Sequence, residues 1–363
     1  MRRFPPSAMT SLLDDSPRYD LAESTCGDLT VADLVDAGRL ADFPLGYGTS
    51  AGQVELRKLL GERLGVSADE VLVTTGAGTA LFLTGLIAAG EVVVVQPGYP
   101  PMLGLAQGLA ERVRTVQLRF DDGYRLDVAA LRDALSPRTR LVMLATPQNP
   151  AGVAFTRDEI DAALSVMASV CPEAMLLIDE NYREAAYTAT PSFASLSPKV
   201  MTCGSFSKAH GAPGLRIGWL TVRDPEWYEE LRRAKFTSAV ACGTLDEFLA
   251  LELLRRADEV LAGKRARMTA ALEVVAEWIS RQDGRVTWIR PDAGAFCCLR
   301  LGARVRVADF YERLGESGVS VARGEWFGDE AGTFRLGFAH EPIDRLREGL
   351  ELIGAALRAS SDS

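Results

Sequence analysis

Ser205, Ser207, Lys208 and Arg216 fall in one short run, Ser-Phe-Ser-Lys-Ala-His-Gly-Ala-Pro-Gly-Leu-Arg. A lysine beside small hydroxyls, with an arginine following, can condense with an aldehyde while the serine and the guanidinium hold a phosphate. The intervening glycines let the backbone turn tightly. Read alone, the same run also describes a solvated loop with a surface lysine. Upstream, residues 174–182, Ala-Met-Leu-Leu-Ile-Asp-Glu-Asn-Tyr, read as a buried strand that ends in an acid and then a tyrosine. An acid in that place either caps a following helix or faces a cationic ring in a crevice.

Together these motifs resemble the fold-type I pyridoxal-phosphate (PLP) enzymes of the class I/II aminotransferase (aspartate aminotransferase) family. Further motifs follow in the expected order from Tyr47 to Arg335, so nearly the whole chain is covered. The resemblance implies that Lys208 forms the Schiff base and, once freed by an incoming amine, moves the proton at the substrate α-carbon. It implies that Asp179 faces the pyridine nitrogen and keeps it protonated, so that the ring accepts electrons. Tyr182 and Asn149 would donate to the phenolic oxygen of the cofactor. Asn149 lies in Thr-Pro-Gln-Asn-Pro-Ala-Gly, a turn signal on its own, with alanine at 151 where the family often has threonine.

The run Thr-Thr-Gly-Ala-Gly-Thr from Thr74 follows a strand pattern and opens a helix, so free backbone amides and the helix dipole would meet an anion there. That turn also fits a nucleotide, although no lysine follows the glycines as in a Walker loop. The resemblance assigns the amides of Ala77 and Gly78, with Ser205 and Arg216, to the cofactor phosphate. It further implies that Tyr99 stacks on the cofactor ring and that Arg335 grips the substrate α-carboxylate with its two-pronged guanidinium. Tyr47 would cross to the phosphate of a neighbouring subunit, implying a homodimer with shared active sites. Residues 23–27 lie where the family's N-terminal arm approaches the substrate side chain, and Thr237 and Ser238 where it often contributes another residue across the subunit interface, in neither case with a residue-by-residue match. Arg232, Arg233, Trp326 and Phe327 are candidates for contact with the substrate side chain.

These residues need elements to position them. Strand-like runs at 71–75, 92–96, 115–118, 141–145, 175–179, 200–204 and 217–222 alternate with helical patterns. This predicts an α/β fold with a mostly parallel seven-stranded sheet flanked by helices, its ligands lying beyond the carboxyl ends of the strands. A helical pattern then runs from Asp246 to Trp278 and leads to strands at 286–289, 295–301 and 333–338 and a helix at 343–357. The expected division is an N-terminal arm (1–45) packing on a smaller α+β C-terminal domain (246–363), with a large PLP-binding domain (46–245) between them. Residues 359–363 read as frayed.

Composition narrows the partners. With 363 residues, 47% hydrophobic and 25% charged, the chain reads as an ordinary globular enzyme. Its net charge of -9 disfavours nucleic acid or an anionic membrane surface as a partner. Six cysteines without a Cys-x-x-Cys pair suit a reduced, cytoplasmic setting. Arg2 and Arg3 are followed by no apolar run, so no secretory signal is expected. Two histidines make a histidine-built metal site or a serine-histidine triad an unpromising reading, and no metal is expected.

The leading expectation is amino transfer between an α-amino acid and a 2-oxo acid. The same residues also support elimination, decarboxylation and cyclisation. A faint likeness of residues 19–34 to capreomycidine synthases makes a lyase or cyclase acting on an arginine-derived substrate the alternative. A third reading, a non-catalytic binding protein on this fold, sits poorly with an intact Lys208.

Overall fold

A computed structural model describes residues 4–361. Arg2 and Arg3, and the last two residues of the tail, lie outside them. The large sheet has seven strands in the spatial order Val71–Thr74, Gly218–Val222, Val200–Ser205, Met175–Asp179, Thr139–Ala145, Glu91–Gln96 and Arg112–Gln117. Gly218–Val222 runs antiparallel to both neighbours, and the other pairings are parallel. Its central strands are apolar and β-branched because helices cover both faces. Alternate side chains feed two separate cores: Val93, Val95, Leu176 and Ile178 pack on one face, and Val92, Val94, Met175 and Leu177 on the other. Each such side chain contributes roughly 1.5–3 kcal/mol by burial.

Register decides where the chemistry gathers. Ala145 stands opposite Asp179, and Asp179 opposite Cys203. Two strands therefore end level and the third, Val200–Ser205, runs two residues further, so the segments bearing Asn149, Asp179 and Lys208 leave the sheet on one edge.

A second, antiparallel sheet orders Ala322–Arg323, Thr333–Gly337, Phe296–Leu301 and Val286–Ile289, with Arg335 opposite Cys298. Tyr19–Asp20 pairs in parallel with Val319–Ser320, and Leu21 O accepts from Gly337 N at 2.8 Å. Residues 19–29 thus form a strap bound to the small sheet. The residues ahead of it reach the other body, where Phe4 and Phe82 have ring centroids 6.5 Å apart.

Two expectations need correction. The helix expected from Asp246 to Trp278 is two helices, Thr244–Arg255 and Ala257–Ser280, with Arg256 between them at φ -111°. No glycine or proline marks this break; the Arg256 guanidinium donates to Asp33 O at 2.5 Å, tying the corner to the N-terminal segment. The described part of the tail is not frayed either. Ser360 is buried, and Ser361 bridges to Val305 after the helix Ile343–Ala359. No helix among the described residues is long and apolar enough to cross a membrane.

Candidate active site

A cavity of about 630 Å³ opens at the edge where the parallel strands end. It is lined by Ala77, Gly78, Tyr99, Asn149, Asp179, Tyr182, Ser205, Lys208 and Arg216, all expected from sequence, and by Asp20, Glu23, Thr25, Asp28, Asn181, Ser207 and His340. Arg335 lies behind Asn149, donating to its Oδ1 at 2.9 Å. A larger cleft of about 840 Å³ lies elsewhere, beside Arg125, Arg157 and Arg290. Those arginines are paired with Glu159, Asp161 and Glu273, and none of the expected site residues lines that cleft.

The anion end is built by close backbone approach. Gly76 opens the helix Gly76–Ala88 at φ 71°, and a Cβ there would sit 2.8 Å from the Arg216 guanidinium. Gly218 passes so near the same turn that a Cβ would lie 2.6 Å from Ala77 N. Arg216 holds a left-handed backbone (φ 50°), costing about 1–2 kcal/mol, and its NH1 donates to Pro213 O at 2.7 Å. Helix N-terminus and guanidinium thereby face one small volume.

At the strand ends Asp179 is 5% exposed. Burial pushes its pKa up to about 6, although two hydrogen bonds from Asn181 and the nearby Lys208 favour its ionised form. Asn181 donates to Asp179 Oδ1 through its backbone N (3.0 Å) and Nδ2 (2.6 Å), and its own Oδ1 accepts from Ser205 Oγ at 2.7 Å. Asn181 therefore links two expected cofactor contacts.

Lys208 meets the strap. Its Nζ donates to Ser24 Oγ at 2.9 Å and pairs with Glu23 Oε1 at 3.6 Å. Burial disfavours the ammonium, but Tyr182 and Glu23 outweigh that and raise the Lys208 pKa. Burial also works against the Glu23 carboxylate, yet Lys208, Arg335, the Ser24 N–H and His340 hold its pKa down at about 2. Tyr182 OH donates to Ser24 Oγ at 3.2 Å, and its ring packs edge-on against Phe296.

Arg335 is 1% exposed, with its guanidinium carbon 5.4 Å and 5.0 Å from the ring centres of Phe296 and Phe327. NH2 donates to Ala22 O at 2.6 Å, while Nε has no hydrogen-bond partner. Burial pulls its pKa down.

Other candidates lie apart. Tyr47 is 93% exposed and does not line the cavity. Arg232 and Arg233 do not line it either, because Glu229 and Glu230 hold them along the helix Pro225–Ala239. Thr237 and Ser238 are exposed near the end of that helix. Trp326 faces a different cleft, and Phe327 supports Arg335 from beneath.

Residues 20–353 match the aminotransferase class I and II family. Among curated proteins, the capreomycidine synthase of Streptomyces vinaceus is 31% identical over 342 residues, covering 92% of this chain and 87% of its own. The arginine–pyruvate transaminase AruH of Pseudomonas aeruginosa is 28% identical, covering 86% and 83%. Among solved structures, the PLP-dependent cyclase OrfR superposes with a TM-score of 0.84 at 25% identity, over 99% of this chain and 98% of that one. With a match running nearly end to end, and with a half-buried lysine, a buried acid and an anion turn gathered at one sheet edge, the chain belongs to the class I and II aminotransferase family of PLP-dependent enzymes.

Proposed function

We propose that this enzyme acts on an α-amino acid carrying a cationic, guanidino-type side chain, and that its reaction is elimination followed by ring closure. The observation that carries the reading is the charge of the cavity. Asp20, Glu23 and Asp28 line it in addition to Asp179, facing Lys208 and Arg216, and Glu23, half-buried, is held ionised by Lys208 and Arg335. A positive side chain is the complement of such a wall. The relatedness to a capreomycidine synthase supports the same reading.

The residues fit the cofactor. Asp179 is a carboxylate whose pKa burial raises to about 6, and a pyridinium beside it would supply a cation that favours its ionised form. Ala77, Gly78, Ser205 and Arg216 would hold the phosphate, and Tyr99 would stack on the ring. When bound, PLP supplies an electron sink for the charge released at the substrate α-carbon. The rest falls to the protein. Arg335 orients the substrate by its carboxylate, Lys208 carries the α-proton, and Tyr182 and Asn149 hold the cofactor oxygen between them.

Tyr47 stands exposed, and Leu45, Phe236 and Val240 are exposed large apolar residues. This supports a homodimer in which Tyr47 completes the partner's phosphate site. We further propose the division into residues 1–45, 46–245 and 246–363. Six free, buried cysteines support a cytoplasmic setting.

The second reading is amino transfer to a 2-oxo acid. It is favoured by the sufficiency of Lys208, Asp179, Tyr182 and Arg335 for that reaction without any group from the strap. The two separate on incubation with 3-hydroxyarginine and no oxo acid. Continued turnover supports elimination and cyclisation, whereas a halt after one equivalent, with the cofactor left in its amine form, supports amino transfer.

A further inference from the structure

We propose that Ser24 is a catalytic residue that relays to the departing group on the substrate β-carbon the proton Lys208 takes from the α-carbon. This rests on the elimination reading above. Ser24 is 4% exposed, and its hydroxyl lies within hydrogen-bond distance of both Lys208 Nζ (2.9 Å) and Tyr182 OH (3.2 Å). Both donate to its oxygen. Its own proton points to Glu23 Oε1 at 3.4 Å, a long contact readily exchanged for a better acceptor. The backbone around it is fixed from two sides. Glu23 Oε1 accepts from Ser24 N at 2.7 Å and Thr25 N at 2.9 Å, and Arg335 holds Ala22 O. The arginine that would grip the substrate carboxylate thus also sets the position of the serine.

The relay balances. The α-C–H bond breaks, its proton passes to the neutral Lys208 amine, and its electron pair becomes the new α,β double bond. The β-C–O bond breaks with its electron pair on oxygen. Ser24 gives its proton to that oxygen, forming water, and regains one from the Lys208 ammonium. Lys208 and Ser24 end as they began, and nothing is oxidised or reduced.

A departing hydroxide needs such a proton, whereas chloride does not, and this distinguishes a proton carrier from a merely structural serine. Ser24→Ala and Ser24→Thr are compared with the holoenzyme on 3-hydroxyarginine and on β-chloro-L-alanine. Cofactor dissociation constants and α-deuterium exchange are measured alongside. In Ser24→Ala, loss of water should slow about 10²–10³-fold, in the range for a positioned general acid. Loss of chloride, α-exchange and cofactor affinity should stay within about threefold, and Ser24→Thr should restore most of the loss of water. If Ser24→Ala fails to fold or to bind cofactor, Ser24→Cys, a near-isostere, is read by the same ratio of leaving groups. Equal slowing of both leaving groups, or of neither, overturns the proposal while the elimination reading stands. A wild-type enzyme that expels neither group overturns both.

Discussion

Replacing Asp179 by Asn should make the cofactor-free protein more stable at neutral pH while crippling the loaded one. In the empty site burial raises the Asp179 pKa from 3.8 to about 6, so folding favours the protonated acid. The stability this group contributes is fully present below its unfolded value near 4 and is lost as pH rises through about 6. A shift of about two units corresponds to about 3 kcal/mol withheld at pH 8, and to about half that at pH 5. Asparagine keeps an oxygen for the two Asn181 donors and carries no charge to bury. Cofactor-free Asp179→Asn should therefore melt roughly 2–4 °C above wild type at pH 8, with a smaller gain at pH 5. Bound cofactor should reverse the order, because the ring nitrogen loses its counter-charge. Thermal melts of both forms at both pH values, with a cofactor titration, make the comparison. An Asn protein that is no more stable at pH 8 without cofactor, or that binds cofactor as tightly as wild type, would refute the assignment of this carboxylate to the ring.

Gly218→Ala places a methyl 2.6 Å from Ala77 N. Overpacking of that kind costs about 1–3 kcal/mol, so cofactor affinity measured by absorbance titration should fall about tenfold or more, with the α-carboxylate contact untouched. Arg335→Lys cannot serve Asn149, Ala22 and a substrate carboxylate from one ammonium. It should lower kcat/KM about a hundredfold or more while leaving the cofactor spectrum unchanged; an unchanged KM would remove Arg335 from the substrate site.

The cofactor half of the site was legible because it is locally written. Asp179 closes a five-residue buried strand, Met175–Asp179, whose continuous apolar run ending in an acid the sequence already marks. Lys208, Arg216 and the turn at Gly76 likewise sit at strand or helix ends, where a motif and its position coincide. The substrate half was not. Glu23 and Ser24 belong to an irregular strap with no periodicity of its own, and Ser24 meets Lys208 across 184 positions of chain. Its only anchors are two-residue strands, Tyr19–Asp20 and Val319–Ser320, too short to leave an alternating pattern. Asn181 hid for a different reason: between an acid and a tyrosine it reads as a turn residue, and only the fold shows that its amide spans Asp179 and Ser205. The break at Arg256 was invisible because it depends on a distant carbonyl rather than on a local breaker.

The attachment of residues 19–29 to the small sheet separates two kinds of heredity in one enzyme. The residues proposed to hold vitamin B6 hang mainly from the large sheet, whereas Asp20, Glu23 and Asp28, which line the cavity, and Ser24 ride on a single contiguous ribbon, stitched down beside Arg335. If the proposed substrate contacts hold, rewriting that ribbon would alter amino-acid preference while leaving the vitamin B6 side of the cavity in place, and transplanting it onto a sister enzyme would test this.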